Sequence, residues 1–275
     1  MTVSAKEVQE LRKMSGAGMM ECKSALADSN GDIAQAFKIL REKGIAKAEK
    51  KSSRDANEGL VGVKVNGKNA TIIEINSETD FVSRNSEFHN LVNSILDISI
   101  SDEGGKLDSN QEVTELINAA VGKIGENIVL RRSARLNGNI FSYIHNSVSE
   151  GMGKIGVLLD LETDSSELSS LGKNICMHIA ALNPKSISKG DLDSELVNAE
   201  REIIMQQLKG TGKPDNIIEK MLEGKLNKFF EENTLLGQKF VIDPSVSVGQ
   251  HLNQIAEKNN CNISINKFIR YEIGL

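Results

Sequence analysis

At 275 residues the chain is long enough for two domains and too long for one compact core. Its 33 lysines and arginines stand against 38 aspartates and glutamates, a net charge of −5 that argues against a general nucleic-acid binder, which carries a basic excess. The three cysteines, Cys22, Cys176 and Cys261, lie far apart with no CxxC or Cys/His spacing, so neither a zinc site nor a disulfide framework is suggested and a reducing cytosol fits.

The chain opens with the pattern of three short helices. Ser4 stands three residues before Glu7, a capping-box spacing, and Val8, Leu11 and Met14 follow at helical intervals. Ser15-Gly16-Ala17-Gly18 breaks this helix, and a second carries Met20, Ala25 and Leu26 before Asn30-Gly31 ends it. Asp32 caps a third, with Ile33, Phe37 and Leu40 inward and its end expected near Gly44. Met19 and Met20 are adjacent and cannot both enter one apolar stripe. At least one is expected to face out beside Leu11, either on a partner surface or as a cap on the open end of the bundle. Ala46 to Arg54 has no apolar face and reads as a basic linker or a solvated helical tail, which bounds a first domain at residues 1–54.

Two runs of similar element order follow. In the first, residues 55–139, strands over Gly59–Val65 and Ala70–Ile75 flank the hairpin signal Asn66-Gly67. Helices over Glu87–Ile98 and Gln111–Ile124 come next, then a strand over Ile128–Leu136. Asn76 to Asp80 supplies the turn after the second strand, and Ser83 or Asn85 caps the next helix above Phe88, Leu91, Val92 and Ile95. Phe81 and Val82 therefore sit at a strand-to-helix junction. Phe81 either plugs the core beneath the turn or stands out from it, and the pattern leaves both open.

The second run, residues 140–275, has strands over Ile140–His145 and Ile155–Leu161, a helix over Leu168–Leu182, a helix over Val248–Asn259 and a strand over Ile263–Ile273. An insert at about 190–232 interrupts it. There Leu196, Ile203, Ile204 and Leu208 face Ile217, Ile218, Met221 and Leu222 across the turn Gly210-Thr211-Gly212-Lys213-Pro214. The two faces of this helical hairpin bury each other incompletely, which makes it a docking or self-association arm. The expected fold class is α+β: a three-helix N-terminal domain, then two similar antiparallel-sheet/helix subdomains with an inserted helical hairpin.

Signals for small-molecule chemistry are weak. Gly151-Met152-Gly153-Lys154-Ile155-Gly156 fits GxGxxG, but a dinucleotide site needs a helix after it and a strand follows here. Gly210 to Pro214 lacks the Ser/Thr and the earlier Gly of a phosphate-binding loop. His89, His145, His178 and His251 have no nucleophile motif beside them. No cofactor, no metal and no enzymatic activity are expected. No stretch reaches the roughly 18 apolar residues of a spanning helix, so no membrane contact is expected either.

Thr79-Asp80-Phe81-Val82 after Ile73-Glu74-Ile75-Asn76, with Leu11-Arg12, Gly16-Ala17-Gly18-Met19-Met20 and Cys22-Lys23, resembles the elongation factor Ts family of bacteria and organelles. Lys123-Ile124-Gly125-Glu126-Asn127-Ile128 and Met177-His178-Ile179-Ala180-Ala181 extend the resemblance over nearly the whole chain. It implies a UBA-like (ubiquitin-associated-like) N-terminal domain and a cytoplasmic guanine-nucleotide exchange factor that binds the GTPase elongation factor Tu. It also implies that Asp80 and Phe81 press on the partner's magnesium and phosphate site, with Thr79 and Val82 shaping the turn. Leu11, Arg12, Met19 and Met20 would lie at the partner's nucleotide domain, and Met177 and His178 near the same interface. Some relatives pair through the hairpin, so a homodimer is a further expectation. The alternative is a scaffold that binds partners through the three-helix domain and the hairpin without changing nucleotide affinity. Ser15, Glu21 and Ser77 replace the family's usual Thr, Asp and Cys. The chain ends at Leu275 without the C-terminal helical module of many members, so any contact made by that module is expected to be absent. With no transit segment before the first helix, bacterial cytoplasm is expected rather than an organelle.

Overall fold

In the computed structural model, which describes residues 3–102, 106–163, 169–210 and 214–275, the first three elements are helices. They are α1 (Ala5–Ser15), α2 (Met19–Asp28) and α3 (Ile33–Lys51). Ser4 Oγ accepts from the Glu7 amide at 3.2 Å while the Glu7 carboxylate takes the Ser4 amide at 2.8 Å, the reciprocal box that starts α1. Gly16, at φ 64°, ends it. Val8, Leu11, Cys22, Ala25, Leu26 and Ala36 form the small core of the three helices. Met14, expected inward at its helical interval, is exposed instead. At the last turn of α1 it lies past that core and lines a cleft with Phe37, Leu40, Ile45 and Leu116.

The third helix does not stop at Gly44 but continues for seven more residues. The glycine there does not end the helix: α3 lies against α5 (Gln111–Ile124), and a Cβ added at Gly122 would stand 3.6 Å from the Gly44 Cα, an ordinary contact. Of the two readings of residues 46–54, the helical tail holds as far as Lys51, but it is not fully solvated, since its Ala48 packs on the core of the first sheet. Because a Cβ at Gly44 would meet nothing nearer than the Asn118 carbonyl at 3.6 Å, Gly44→Ala is expected to raise stability by up to about 1 kcal/mol. Thermal unfolding checks this, since a left-handed cap at Gly44 would give a loss instead.

In chain order the strands are β1 (Glu58–Asn66), β2 (Asn69–Ser77), β3 (Ile128–Asn137), β4 (Ile140–His145), β5 (Met152–Gly153), β6 (Ile155–Thr163) and β7 (Ile263–Glu272). One sheet has the order β3-β2-β1-β5 and the other β4-β6-β7. The chain divides into two compact units, one formed by Met1–Arg135, Asn146–Gly156 and Tyr271–Leu275, the other by Leu136–His145 and Val157–Arg270.

In the first unit β1 and β2 pair antiparallel from Glu58↔Ser77 to Asn66↔Asn69, with Gly67 at φ 58° in the two-residue loop. Helix α4 (Ser86–Ser101) covers them, its Phe88, Val92, Ile95 and Leu96 packing with Leu60, Ile73 and Ile75. The short β5, which the glycine-rich pattern did not reveal, pairs β1 at Val61↔Gly153 and Gly62↔Met152. The element after this GxGxxG run is β6, a strand, as the sequence requires for a loop rather than a dinucleotide site.

In the second unit α6 (Ser169–Leu182) packs on β4, where Gly172 lets it rest directly on the Phe141 ring; Leu168, the expected first residue, lies outside the described residues. The insert is a pair of helices, α7 (Ser194–Lys209) and α8 (Asp215–Asn233), joined through Ile204, Leu208 and Leu222; its turn residues 211–213 lie outside the described residues. Leu196, Ile203 and Ile217, expected on the shared face, are exposed because that face narrows to the few residues the crossing can cover. Helix α9 (Val248–Asn259) starts at a capping box between Ser247 and Gln250. No helix among the described residues is long and apolar enough to cross a membrane.

Candidate functional site

Strand β2 runs two residues further than its β-branched core predicts, so Asn76 and Ser77 are buried and the turn is confined to residues 78–81. Two carbonyls of this turn are held by side chains. Ser77 Oγ donates to the Thr79 carbonyl at 3.0 Å, and Ser83 Oγ donates to the Asp80 carbonyl at 2.6 Å. The chain then makes one 3-10 turn, Val82–Arg84, that drives Val82 into the core of the first sheet. Asn85 caps α4 by accepting from the Glu87 amide at 2.9 Å, which settles the choice between Ser83 and Asn85. His89 closes the loop through a ring nitrogen 2.8 Å from the Ser83 carbonyl.

What this frame leaves free is specific. Phe81 is 80% exposed, so it does not plug the core. Asp80 is also exposed, and among the described residues its carboxylate has no hydrogen-bond or ion-pair partner. An exposed aromatic costs hydration free energy that only a partner can recover, and a carboxylate beside it adds charge at the same point.

The turn is braced from the C-terminal end of α5. Glu126 accepts from the Thr79 amide at 3.0 Å and from its hydroxyl at 2.6 Å, while the Asn127 amide donates to Glu78 at 2.6 Å. That amide, helped by the Arg54 guanidinium, holds the Glu78 carboxyl below its usual range. Asn127 also donates its side-chain amide to the Arg54 carbonyl at 2.7 Å, and Lys51 reaches the Gly125 carbonyl. Lys123 pairs with Glu87 at 3.1 Å and fills the space at Gly16, where the N-terminal helices turn. Sequence reasoning marked Lys123 to Ile128 only as a stretch of resemblance. No local pattern could pair it with Thr79, and the one available signal was two polar residues after a helix-ending Gly125.

The N-terminal residues divide by exposure. Met19 and Met20 open α2 and are both exposed, Met20 at 75%, and Arg12 is exposed. Leu11, expected at the partner surface, is 0% exposed: the stripe with Val8 turns it into the three-helix core, so it mounts the surface rather than forming it.

Met177 and His178 belong to the other unit. Met177 is 37% exposed, whereas His178 is fully buried on α6. Its Nδ1 accepts from the Val241 amide at 3.2 Å, which assigns the proton to Nε2, 3.0 Å from Gln238 Oε1. Gln238 in turn donates to the Glu232 carbonyl at 2.8 Å, and the ring lies tilted against Phe240. His178 thus reads as a structural residue that ties α6 to the loop carrying the exposed Val241 and Ile242.

Burial pushes the His178 pKa below the ordinary histidine value, partly offset by Gln238. Between the depressed folded value and the ordinary unfolded one, only the unfolded chain takes the proton. Stability is therefore full above about pH 6.5 and is lost as the pH falls through that window, with a slope of at most about 1.4 kcal/mol per pH unit. Urea midpoints from pH 7 to 5 are expected to fall more steeply for the native chain than for His178→Gln.

Comparison with known proteins gives the family of the chain. The family model described as Elongation factor TS matches residues 78–275. An elongation factor Ts of Brucella anthropi is 46% identical over 285 aligned residues, covering 100% of this chain and 93% of that protein. That of Bartonella bacilliformis is 44% identical over 100% of this chain and 94% of its own length, and that of Paracoccus denitrificans 48% identical over 91% and 87%. An α+β chain with these relatives falls in the class of translation elongation factors. Within that class it belongs to the elongation factor Ts family.

Proposed function

We propose that the chain is a guanine-nucleotide exchange factor that binds the GDP form of elongation factor Tu, disturbs its magnesium and phosphate site, and promotes GDP release in translation elongation. The observation that carries this reading is the exposed Phe81 ring beside the unpartnered Asp80 carboxylate on a turn pinned from both sides. The chain acts in the cytoplasm, breaks no covalent bond, and needs no cofactor of its own.

An exchange factor must prefer the nucleotide-free GTPase to the GDP-bound one, and the factor weakens GDP by the same ratio that GDP weakens the factor. A 10⁴-fold effect takes about 5.5 kcal/mol of differential contact. Burying one phenylalanine contributes roughly 2–3 kcal/mol, so Phe81 acts with other groups. Asp80 adds repulsion toward the phosphates and disturbs magnesium, whose octahedral shell tolerates little change. Thr79 and Val82 hold the turn. The three N-terminal helices, read as a UBA-like module, present Met19, Met20 and Arg12 to the nucleotide domain, and Met177 extends the contact from the second unit. The hairpin, with Leu196, Ile203 and Ile217 exposed, is the surface for pairing with a second copy, read out as mass against concentration.

Stopped-flow release of a fluorescent GDP analogue from elongation factor Tu, with and without this chain, tests the reading. Acceleration is expected. A chain that binds the GTPase yet leaves the release rate unchanged would be a scaffold, and the exchange reading would fall.

A further inference from the structure

We propose that Glu126 is a positioning residue for nucleotide exchange, whose carboxylate locks the Thr79 turn so that Phe81 and Asp80 are already aimed before the partner arrives. This inference rests on the exchange reading above.

The contacts form a crossed pair between two dipeptides far apart in sequence. Glu126 accepts both polar hydrogens of Thr79, at 3.0 and 2.6 Å, and Glu78 accepts the backbone amide of Asn127 at 2.6 Å. Each glutamate thus satisfies the amide that follows the other glutamate. Such a reciprocal arrangement fixes the relative position of both chain segments, and bonds to an ionised acceptor are the stronger kind.

The clamp lies directly before the working residues. Thr79 precedes Asp80, and the opposite end of the turn is fixed by Ser83 on the Asp80 carbonyl and by the buried Val82. With the Glu126 side chain removed, Glu78 keeps the Asn127 amide and Thr79 keeps the Ser77 hydroxyl on its carbonyl, but the amide and hydroxyl of Thr79, the groups next to Asp80, lose their acceptor. A turn free to move must be ordered again when Phe81 docks, and that entropy is taken from the contact that drives exchange. The Glu126 anchor is itself rigid. Gly125, at φ 84°, ends α5 and turns the chain, and Lys51 holds the Gly125 carbonyl from α3.

The test is the plateau rate of GDP-analogue release from elongation factor Tu at saturating factor, together with the half-saturating concentration and the thermal midpoint of each variant. Glu126→Ala is expected to lower the plateau about tenfold. Glu126→Gln, whose amide can accept from the Thr79 amide and donate to its hydroxyl, is expected to stay within about threefold of the native rate. Thr79→Val, which removes only the hydroxyl, is expected to cost about threefold and keeps the test open should Glu126→Ala fail to fold. In the Phe81→Ala background, Glu126→Ala is expected to add little, because the clamp acts through that ring.

An unchanged plateau for Glu126→Ala overturns the inference. So does a Gln variant as impaired as the Ala one, which assigns the effect to charge, or full additivity with Phe81→Ala, which makes the loss merely structural. If the native chain accelerates release and Phe81→Ala abolishes much of it, these failures leave the exchange reading standing. If the native chain does not accelerate release, both fall.

Discussion

Phe81→Ala is expected to lower the saturated rate of GDP release from elongation factor Tu by about 30- to 100-fold while the thermal midpoint stays where it was. The fold-change follows from the roughly 2–3 kcal/mol that a phenylalanine gains on leaving water, at about 1.4 kcal/mol per tenfold. The unchanged midpoint follows from exposure: at 80% exposed, the ring contributes little to its own fold, and surface substitutions of this kind fall within about 0.5 kcal/mol. The two readouts must separate. A release rate equal to that of the native chain would place the driving contact elsewhere, and a large fall in midpoint would mean that the ring serves the fold. Asp80→Asn keeps the shape of the neighbouring side chain and removes its charge, so it divides the electrostatic part of the effect from the apolar part.

Leu11→Ala is expected to cost about 3 kcal/mol and to unfold the three N-terminal helices before the first sheet. The residue is fully buried among only five other fully packed side chains, Val8, Cys22, Ala25, Leu26 and Ala36. Leu→Ala losses in cores are about 2–5 kcal/mol, and a core this small has little reserve to absorb one. Amide exchange checks it: protection should fall over α1, α2 and α3, residues 5–51, while β1 and β2 keep theirs. Arg12→Ala, one position along the same helix but exposed, should leave exchange protection unaltered. Equal effects from the two substitutions would show that Leu11 does not hold the helices together. The functional consequence is indirect, since Met19 and Met20 lose their mount when α2 is released from α1.

Much of this molecule was legible before any coordinates. The bounds of α5, α9 and β4 agree with their sequence patterns residue for residue, because each is announced locally. Asn110 caps α5 by accepting from the Glu112 and Val113 amides, Ser247 and Gln250 box the start of α9, and β4 is a β-branched and aromatic run between turn residues. The chemistry of the turn after β2 was equally plain in Thr79-Asp80-Phe81-Val82, where polar residues end an apolar strand.

Other features were decided only in three dimensions. Gly44 looks like a helix end, yet it lies mid-helix because α3 runs on along α5 and its Ala48 packs on the core of the first sheet. Leu11 and Met14 share one helical stripe, but the small bundle covers the first and leaves the second bare. Phe81 and Val82 are neighbours of similar apolar character, and one is exposed while the other is in the core because the 3-10 turn that begins at Val82 points them apart.

Sequence alone therefore determined the identity and order of the helices and of every strand but the short β5, since capping, periodicity and turn chemistry act over a few residues. It also named the residues of the turn. Which of them meet solvent, and that Glu126 holds Thr79 from 47 positions away, depended on how distant segments pack, and no local pattern encodes that choice of partner.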